Sequence, residues 1–234
     1  MRAFVAGATG YTGRAVVGEL ITRGVTVYAH VRPESPRLAE WRARFERLGA
    51  VVDVTPWDRQ SIRDSLQHIQ PDHVFALLGT TRARAREAAS RGSDASYEAV
   101  DYGLTALLLE ATREARFIYL SSLGVSARAR NPYLAVRWRL ESELKTSGLS
   151  YIIARPSFIT GSDREEFRFG ERAAAGLADK VLEAAGLIGM KSLHDRFASM
   201  TGQQLAKALV CAALDEKCRN TILETPQLRA LAGC

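Results

Sequence analysis

The chain has 234 residues, 47% hydrophobic, 25% charged and 8% aromatic, which is enough to bury a full core and excludes collagen-like, disordered and disulfide-stapled classes. No apolar run approaches the roughly 20 residues of a membrane span, so no membrane partner is expected. The net charge of +6 rests on 27 Arg and 5 Lys spread along the whole chain without interleaved aromatics, so nucleic acid is not an expected partner either.

The chain opens with an apolar strand, Arg2–Ala6, which turns to glycine too soon for a signal peptide. Gly7-Ala8-Thr9-Gly10-Tyr11-Thr12-Gly13 follows, and Val16, Val17, Leu20 and Ile21 then mark one face of a helix ending at Gly24. Further strands are predicted at Val25–Val31, Val51–Val54, Asp72–Leu78, Phe117–Leu120 and Tyr151–Ala154, the last closed by Arg155-Pro156. Between them lie helices at Pro36–Leu48, Ser61–Ile69 and Tyr97–Ala115. Another runs over about 132–147, started by Asn131-Pro132 and stopped by Gly148. Beyond Pro156 the rhythm fails: an alanine-rich helix over about 171–185, a second at Gly202–Leu214, one strand at Thr221–Glu224 and a terminal helical turn from Pro226.

Strands alternating with helices at this spacing predict an α/β, Rossmann-like, doubly wound parallel sheet. We read a single NAD(P)-binding domain over 1–234, with a Rossmann core at 1–156 and a small, mostly helical substrate lobe with final helices at 157–234. Cys211, Cys218 and Cys234 show no C-x-x-C spacing and read as reduced thiols of a cytoplasmic protein. His30, His68, His73 and His194 are scattered, so no metal site is expected.

The glycine loop is informative because it follows a strand and opens a helix. Gly7 permits the tight turn, Gly10 lets the backbone approach a pyrophosphate, and Gly13 lets the helix pack closely. The helix N-terminus then offers unpaired N–H groups and partial positive charge to the phosphates. At the end of the second strand, where an acid would hold a ribose 2′-OH, stands His30-Val31-Arg32. Arg32 can meet a 2′-phosphate with a forked contact, which favours NADP(H) over NAD(H).

Several motifs together resemble the atypical short-chain dehydrogenase/reductase superfamily, most of all its Tat-interactive-protein-like branch of small NADP-binding proteins. They are Gly7–Gly13, Leu78-Gly79-Thr80-Thr81-Arg82, Ser121-Ser122, Tyr133-Leu134-Ala135-Val136-Arg137, Arg155-Pro156 and Gly161-Ser162-Asp163-Arg164-Glu165. The resemblance implies a Ser–Tyr–Lys constellation in which serine orients a carbonyl, tyrosine exchanges its proton, and lysine lowers the tyrosine pKa and holds the nicotinamide ribose. Ser122 or Ser121 matches the serine and Tyr133 the tyrosine, while Arg137 stands at the lysine position. Tyr133 and Arg137 are four apart on the predicted helix and share a face, so arginine supplies the same charge in a larger fork that is never deprotonated.

The expected catalytic set is therefore Ser122, Tyr133 and Arg137. The expected cofactor set is Gly7, Thr9, Gly10, Tyr11, Thr12, Gly13, Arg32, Leu78, Gly79, Thr80, Tyr133, Arg137 and Pro156, with Asp53 or Asp58 near the adenine. The implied activity is NADP(H)-dependent reduction of a carbonyl or related group on a small-molecule substrate by a monomer or homodimer. The alternative is a cofactor-gated regulator that acts through a protein partner without turnover.

Overall fold

Alternation in the first strand sets the layering. In β1 (Arg2–Ala6), Ala3 and Val5 enter one core layer and Phe4 and Ala6 the other, all fully buried, as a strand covered on both faces requires. The computed structural model describes residues 1–80, 86, 90, 92, 94–160 and 198–233.

The elements follow the expected order. After β1 come α1 (Tyr11–Thr22), β2 (Thr26–His30), α2 (Leu38–Leu48), β3 (Val51–Asp53), α3 (Arg59–Ile69) and β4 (His73–Ala76). Next is α4 (Tyr97–Ala111), whose first eight residues, Tyr97–Leu104, are π-helical, then β5 (Arg116–Leu120), α5 (Pro132–Thr146) and β6 (Tyr151–Arg155). A short parallel pair, β7 (Ile159–Thr160) and β8 (Met200–Thr201), precedes α6 (Gly202–Leu214), β9 (Thr221–Glu224) and α7 (Thr225–Leu231). The alanine-rich helix expected over 171–185 lies outside the described residues.

Local chemistry explains the helix boundaries. Asn131 caps α5 by accepting the Tyr133 N–H at 2.9 Å, with Pro132 in the first turn where its missing N–H costs nothing. Thr201 and Gln204 form a capping box that opens α6. Helix α4 stops at Ala111, short of the expected Ala115, because Thr112 turns extended at φ −78°, ψ 132°. Its hydroxyl donates to the Leu108 carbonyl at 2.8 Å.

Seven strands form one wholly parallel sheet in the order β3-β2-β1-β4-β5-β6-β9. Helices α1, α2, α6 and α7 cover one face and α3, α4 and α5 the other. The tail beyond residue 198 returns to this core: α6 packs on α1, and β9 extends the sheet beside β6. The strand order reverses between β1 and β4, so a crevice opens there beyond the strands' C-terminal ends.

Tyr11 fastens the glycine turn to that returning tail. Its hydroxyl donates to the Thr160 carbonyl at 3.2 Å and accepts the Gly202 N–H at 3.4 Å, while its ring lies flush on Gly202. A Cβ on Gly202 would come 2.4 Å from a Tyr11 ring carbon, whereas one on Gly18, inside α1, meets nothing within 4 Å. Gly202→Ala should therefore lower the unfolding free energy by about 1–3 kcal/mol in urea titration. Gly18→Ala should raise it by up to about 1 kcal/mol.

Candidate functional site

The glycine turn is closed by the Gly10 N–H on the Gly7 carbonyl at 3.0 Å. Gly7 has φ +83°, and a Cβ there would lie 2.6 Å from the Leu77 carbonyl oxygen, so only glycine lets β1 turn this close to the loop after β4. A Cβ on Gly13 would come 2.1 Å from the Gly7 carbonyl oxygen. Gly10 caps α1 with no side-chain partner, and no acid stands in its first turn. With no side-chain cap, the start of α1 around Thr12 and Gly13 offers backbone N–H groups to an anion, which fits a dinucleotide pyrophosphate. Thr9 is half-buried in the same turn.

Ladder pairing of Val5 with Ala29 brings the end of β2 beside this turn. Arg32 is exposed there, and among the described residues no carboxylate pairs with it. Trp41 on α2 carries the guanidinium groups of Arg37, Arg44 and Arg14 at 4.7, 5.7 and 5.9 Å from its ring centroid, with Arg37 also paired to Glu40 at 2.6 Å. His30 is buried, donates from Nε2 to the Thr55 carbonyl at 2.8 Å and meets the Trp57 ring edge-on.

The two acids left open near the adenine separate here. Asp53 accepts from the Thr55 N–H, the Thr55 hydroxyl and the Ser65 hydroxyl at 3.1, 2.9 and 3.0 Å, which commits it to the β3–α3 turn. Asp58 is exposed and caps α3 through the Ser61 N–H at 2.9 Å, and hydrogen bonding by Ser61 holds its carboxyl below the usual range.

At the other end of the crevice Arg137, only 5% exposed, is held through both of its terminal nitrogens. Its Nη2 donates to Asp101 at 2.7 Å, and its Nη1 donates to the Leu120 carbonyl at 2.6 Å and the Tyr119 hydroxyl at 3.4 Å. Its Nε is buried with no partner among the described residues. Asp101, 1% exposed, also accepts the Thr80 N–H at 2.8 Å and thereby ties the loop after β4 to α5. Burial pushes the Asp101 carboxyl above its usual range, while Arg137 and the Thr80 N–H act the other way. A Cβ on Gly79 would stand 3.4 Å from Asp101 Oδ1 and 3.5 Å from Arg137 Nη2, so the exposed Gly79 floors the crevice directly over this pair. Leu78, half-buried, packs into the core beneath.

Tyr133 is half-buried, with the Arg137 guanidinium 4.5 Å from its ring centroid and Tyr97 edge-on at 5.2 Å. The two candidate serines differ in what they touch. Ser121 is buried and donates to Glu141 at 2.6 Å, and Glu141, itself fully buried, is clamped by Arg155. Among the described residues Ser122 has only a 3.4 Å contact to the adjacent Leu123 carbonyl, which leaves its hydroxyl for a ligand. Pro156 is buried and its carbonyl accepts the Leu123 N–H at 2.9 Å, which holds the loops after β5 and β6 together.

Asp101 and Glu141 were absent from the expected site. Their signal was an acid on an apolar helical face: Asp101 in register with Thr105 and Leu108, and Glu141 four residues beyond Arg137 in a stripe with Leu140 and Leu144. Among the described residues no three His, Cys, Asp or Glu side chains are grouped to hold a metal, and no helix is long and apolar enough to cross a membrane.

Residues 7–184 match a family described as NAD(P)H-binding. Protein fmp52-1, mitochondrial, of Aspergillus terreus is 36% identical over 185 residues, 75% of each chain. A 4-hydroxy-2-methyl-3-oxo-4-farnesyl-3,4-dihydroquinoline-1-oxide ketoreductase of Stigmatella aurantiaca is 28% identical over 190 residues, 71% of this chain and 53% of that protein. Among solved structures, UDP-glucose 4-epimerase of Thermus thermophilus in complex with NAD superposes with TM-score 0.63 at 17% identity, over all of this chain and 83% of that one, a likeness of fold.

Ser121→Ala removes a buried bond to a charged acceptor and should cost about 1.5–3 kcal/mol of stability, whereas Ser122→Ala should stay within about 0.5 kcal/mol in the same urea titration. Burial lowers the pKa of both His30 and His73 below the ordinary 6.5, so the unfolded chain takes these protons more readily than the folded one. Their contribution to stability is complete above that value and is lost as pH falls through the lowered folded values. The urea midpoint should thus drop between about pH 7.5 and about pH 5.5.

Proposed function

The chain belongs to the NAD(P)H-binding family, and from that premise we propose that it is an NADP(H)-dependent oxidoreductase reducing the carbonyl of a small molecule. The observation that carries this reading is the placement of an α1 N-terminus with no side-chain cap and of Arg32, with no carboxylate partner among the described residues, at one end of the crevice, with Tyr133 against Arg137 beside Gly79 at the other. The ketoreductase relative supports a carbonyl as the acceptor.

The α1 N–H groups would hold the pyrophosphate, Arg32 the 2′-phosphate that distinguishes NADP(H), and Gly79 and Thr80 would border the nicotinamide ribose. When bound, the dinucleotide supplies the hydride. Ser122 donates a hydrogen bond to the carbonyl oxygen, and the Tyr133 hydroxyl gives that oxygen its proton as negative charge develops. The phenolate left on Tyr133 is stabilised by the positive charge of Arg137, whose guanidinium carbon lies 4.5 Å from the ring centroid. Arginine cannot pass a proton onward, so Tyr133 is reprotonated from solvent rather than through Arg137. The protein acts as a monomer or homodimer in the cytoplasm on this reading.

A second reading, a regulator whose NADP(H) occupancy changes a protein contact without turnover, is favoured by one feature: Asp101 already balances the charge of Arg137. The two separate on a carbonyl panel. NADPH oxidation by the wild type that falls at least about 100-fold in Tyr133→Phe supports the oxidoreductase. Full activity in that variant, or none in the wild type with NADPH bound, contradicts it. Arg32→Ala should weaken NADPH binding about tenfold or more and leave NADH unchanged, measured by protein fluorescence.

A further inference from the structure

We propose that Asp101 is a positioning residue that sets how strongly Arg137 acts on Tyr133. The proposal rests on the reading of Tyr133 as the proton donor and adds a residue that none of the motifs contains.

The geometry runs through one guanidinium. The Arg137 guanidinium carbon lies 4.5 Å from the Tyr133 ring centroid, and its Nη2 donates to Asp101 at 2.7 Å. A fork bonded along one edge to a carboxylate and along another to the Leu120 carbonyl has a single orientation, and that orientation lays it against the tyrosine. The charge balance is fixed by the same contact. Asp101 is buried against the Nη2 of Arg137, so its negative charge opposes the field that the guanidinium sets up around it. The other titratable or charged groups facing Tyr133 among the described residues are Tyr97 on α4 and, behind Arg137, Tyr119 on β5, whose hydroxyl burial pushes up so that it stays neutral. Among the described residues the charged pair beside the Tyr133 ring is Arg137 with Asp101.

The pair also has a structural partner on the cofactor side. Asp101 accepts the Thr80 N–H at 2.8 Å, so the carboxylate that tempers Arg137 also fixes the loop bordering Gly79. It lies in the π-helical start of α4, and such segments recur at functional sites.

The test needs neither substrate nor cofactor. Alkaline titration of phenolate absorbance is run on the full chain, and subtracting the matching protein with Tyr133→Phe isolates the Tyr133 wave. Asp101→Asn keeps an oxygen for Thr80 but removes the charge, and should move that wave down by roughly one to two pH units. Asp101→Glu keeps the charge and should leave it near its wild-type position. If thermal melting shows that the Asn variant does not fold, Asp101→Ser removes the charge with a smaller side chain and carries the same expectation. A wave that stays in place or rises in the neutral variants, or falls equally in Asp101→Glu, would overturn the proposal. Full turnover in Tyr133→Phe would instead remove the proton-donor reading and leave this shift as it stands.

Discussion

An arginine 95% removed from water is tolerable only if something cancels its charge and fills its donors, and around Arg137 that requirement organises half of the molecule. Asp101 comes from α4, the Leu120 carbonyl from the end of β5, Arg137 from α5, and the Thr80 N–H from the loop after β4. Four consecutive pieces of the βα framework thus meet at one buried ion pair. Breaking such a pair by removing one partner costs about 3–5 kcal/mol, because the other is left charged and dry. The same pair floors the crevice at Gly79, so its geometry reaches the ligand space directly.

The other half of the crevice obeys a different constraint, the closeness of backbone to backbone. Gly7 lies against the Leu77 carbonyl and Gly13 against the Gly7 carbonyl, which leaves the first turn of α1 bare at the point where the strand order reverses. A phosphate bound there is met by N–H groups and arginines, while the far end offers a hydroxyl, a phenol and a balanced cation. Tyr11 shows how the two halves are kept in register with the rest of the chain. Its backbone belongs to the glycine turn, but its ring and hydroxyl belong to Gly202 and Thr160, far along the sequence.

Much of this was legible in the residues. The seven parallel strands, the glycine turn and the helix at Pro132–Thr146 followed from periodicity and from capping signals such as Asn131-Pro132, which act locally. What stayed hidden depended on long-range contact. Asp101 read as one polar residue in a long helix, and its meaning came only when α5 brought Arg137 against it, 36 residues on. Likewise the choice between Ser121 and Ser122 rested on Glu141, which sits on an apolar helical face but whose contact with Ser121, 20 residues earlier, appears only in the fold. Asp53 and Asp58 stayed ambiguous because both lie within one turn, and only the fold shows each occupied by its neighbours. The β7–β8 pair was missed because two-residue strands carry no period at all.

The central claim is that the crevice is built for a 2′-phosphorylated dinucleotide, and calorimetric titration of the wild-type chain with NADPH and with NADH tests it most directly. The account predicts one site per chain, with NADPH bound at least about tenfold more tightly than NADH and the difference shrinking as salt is raised. Equal affinity for the two, or heat from neither, would contradict it.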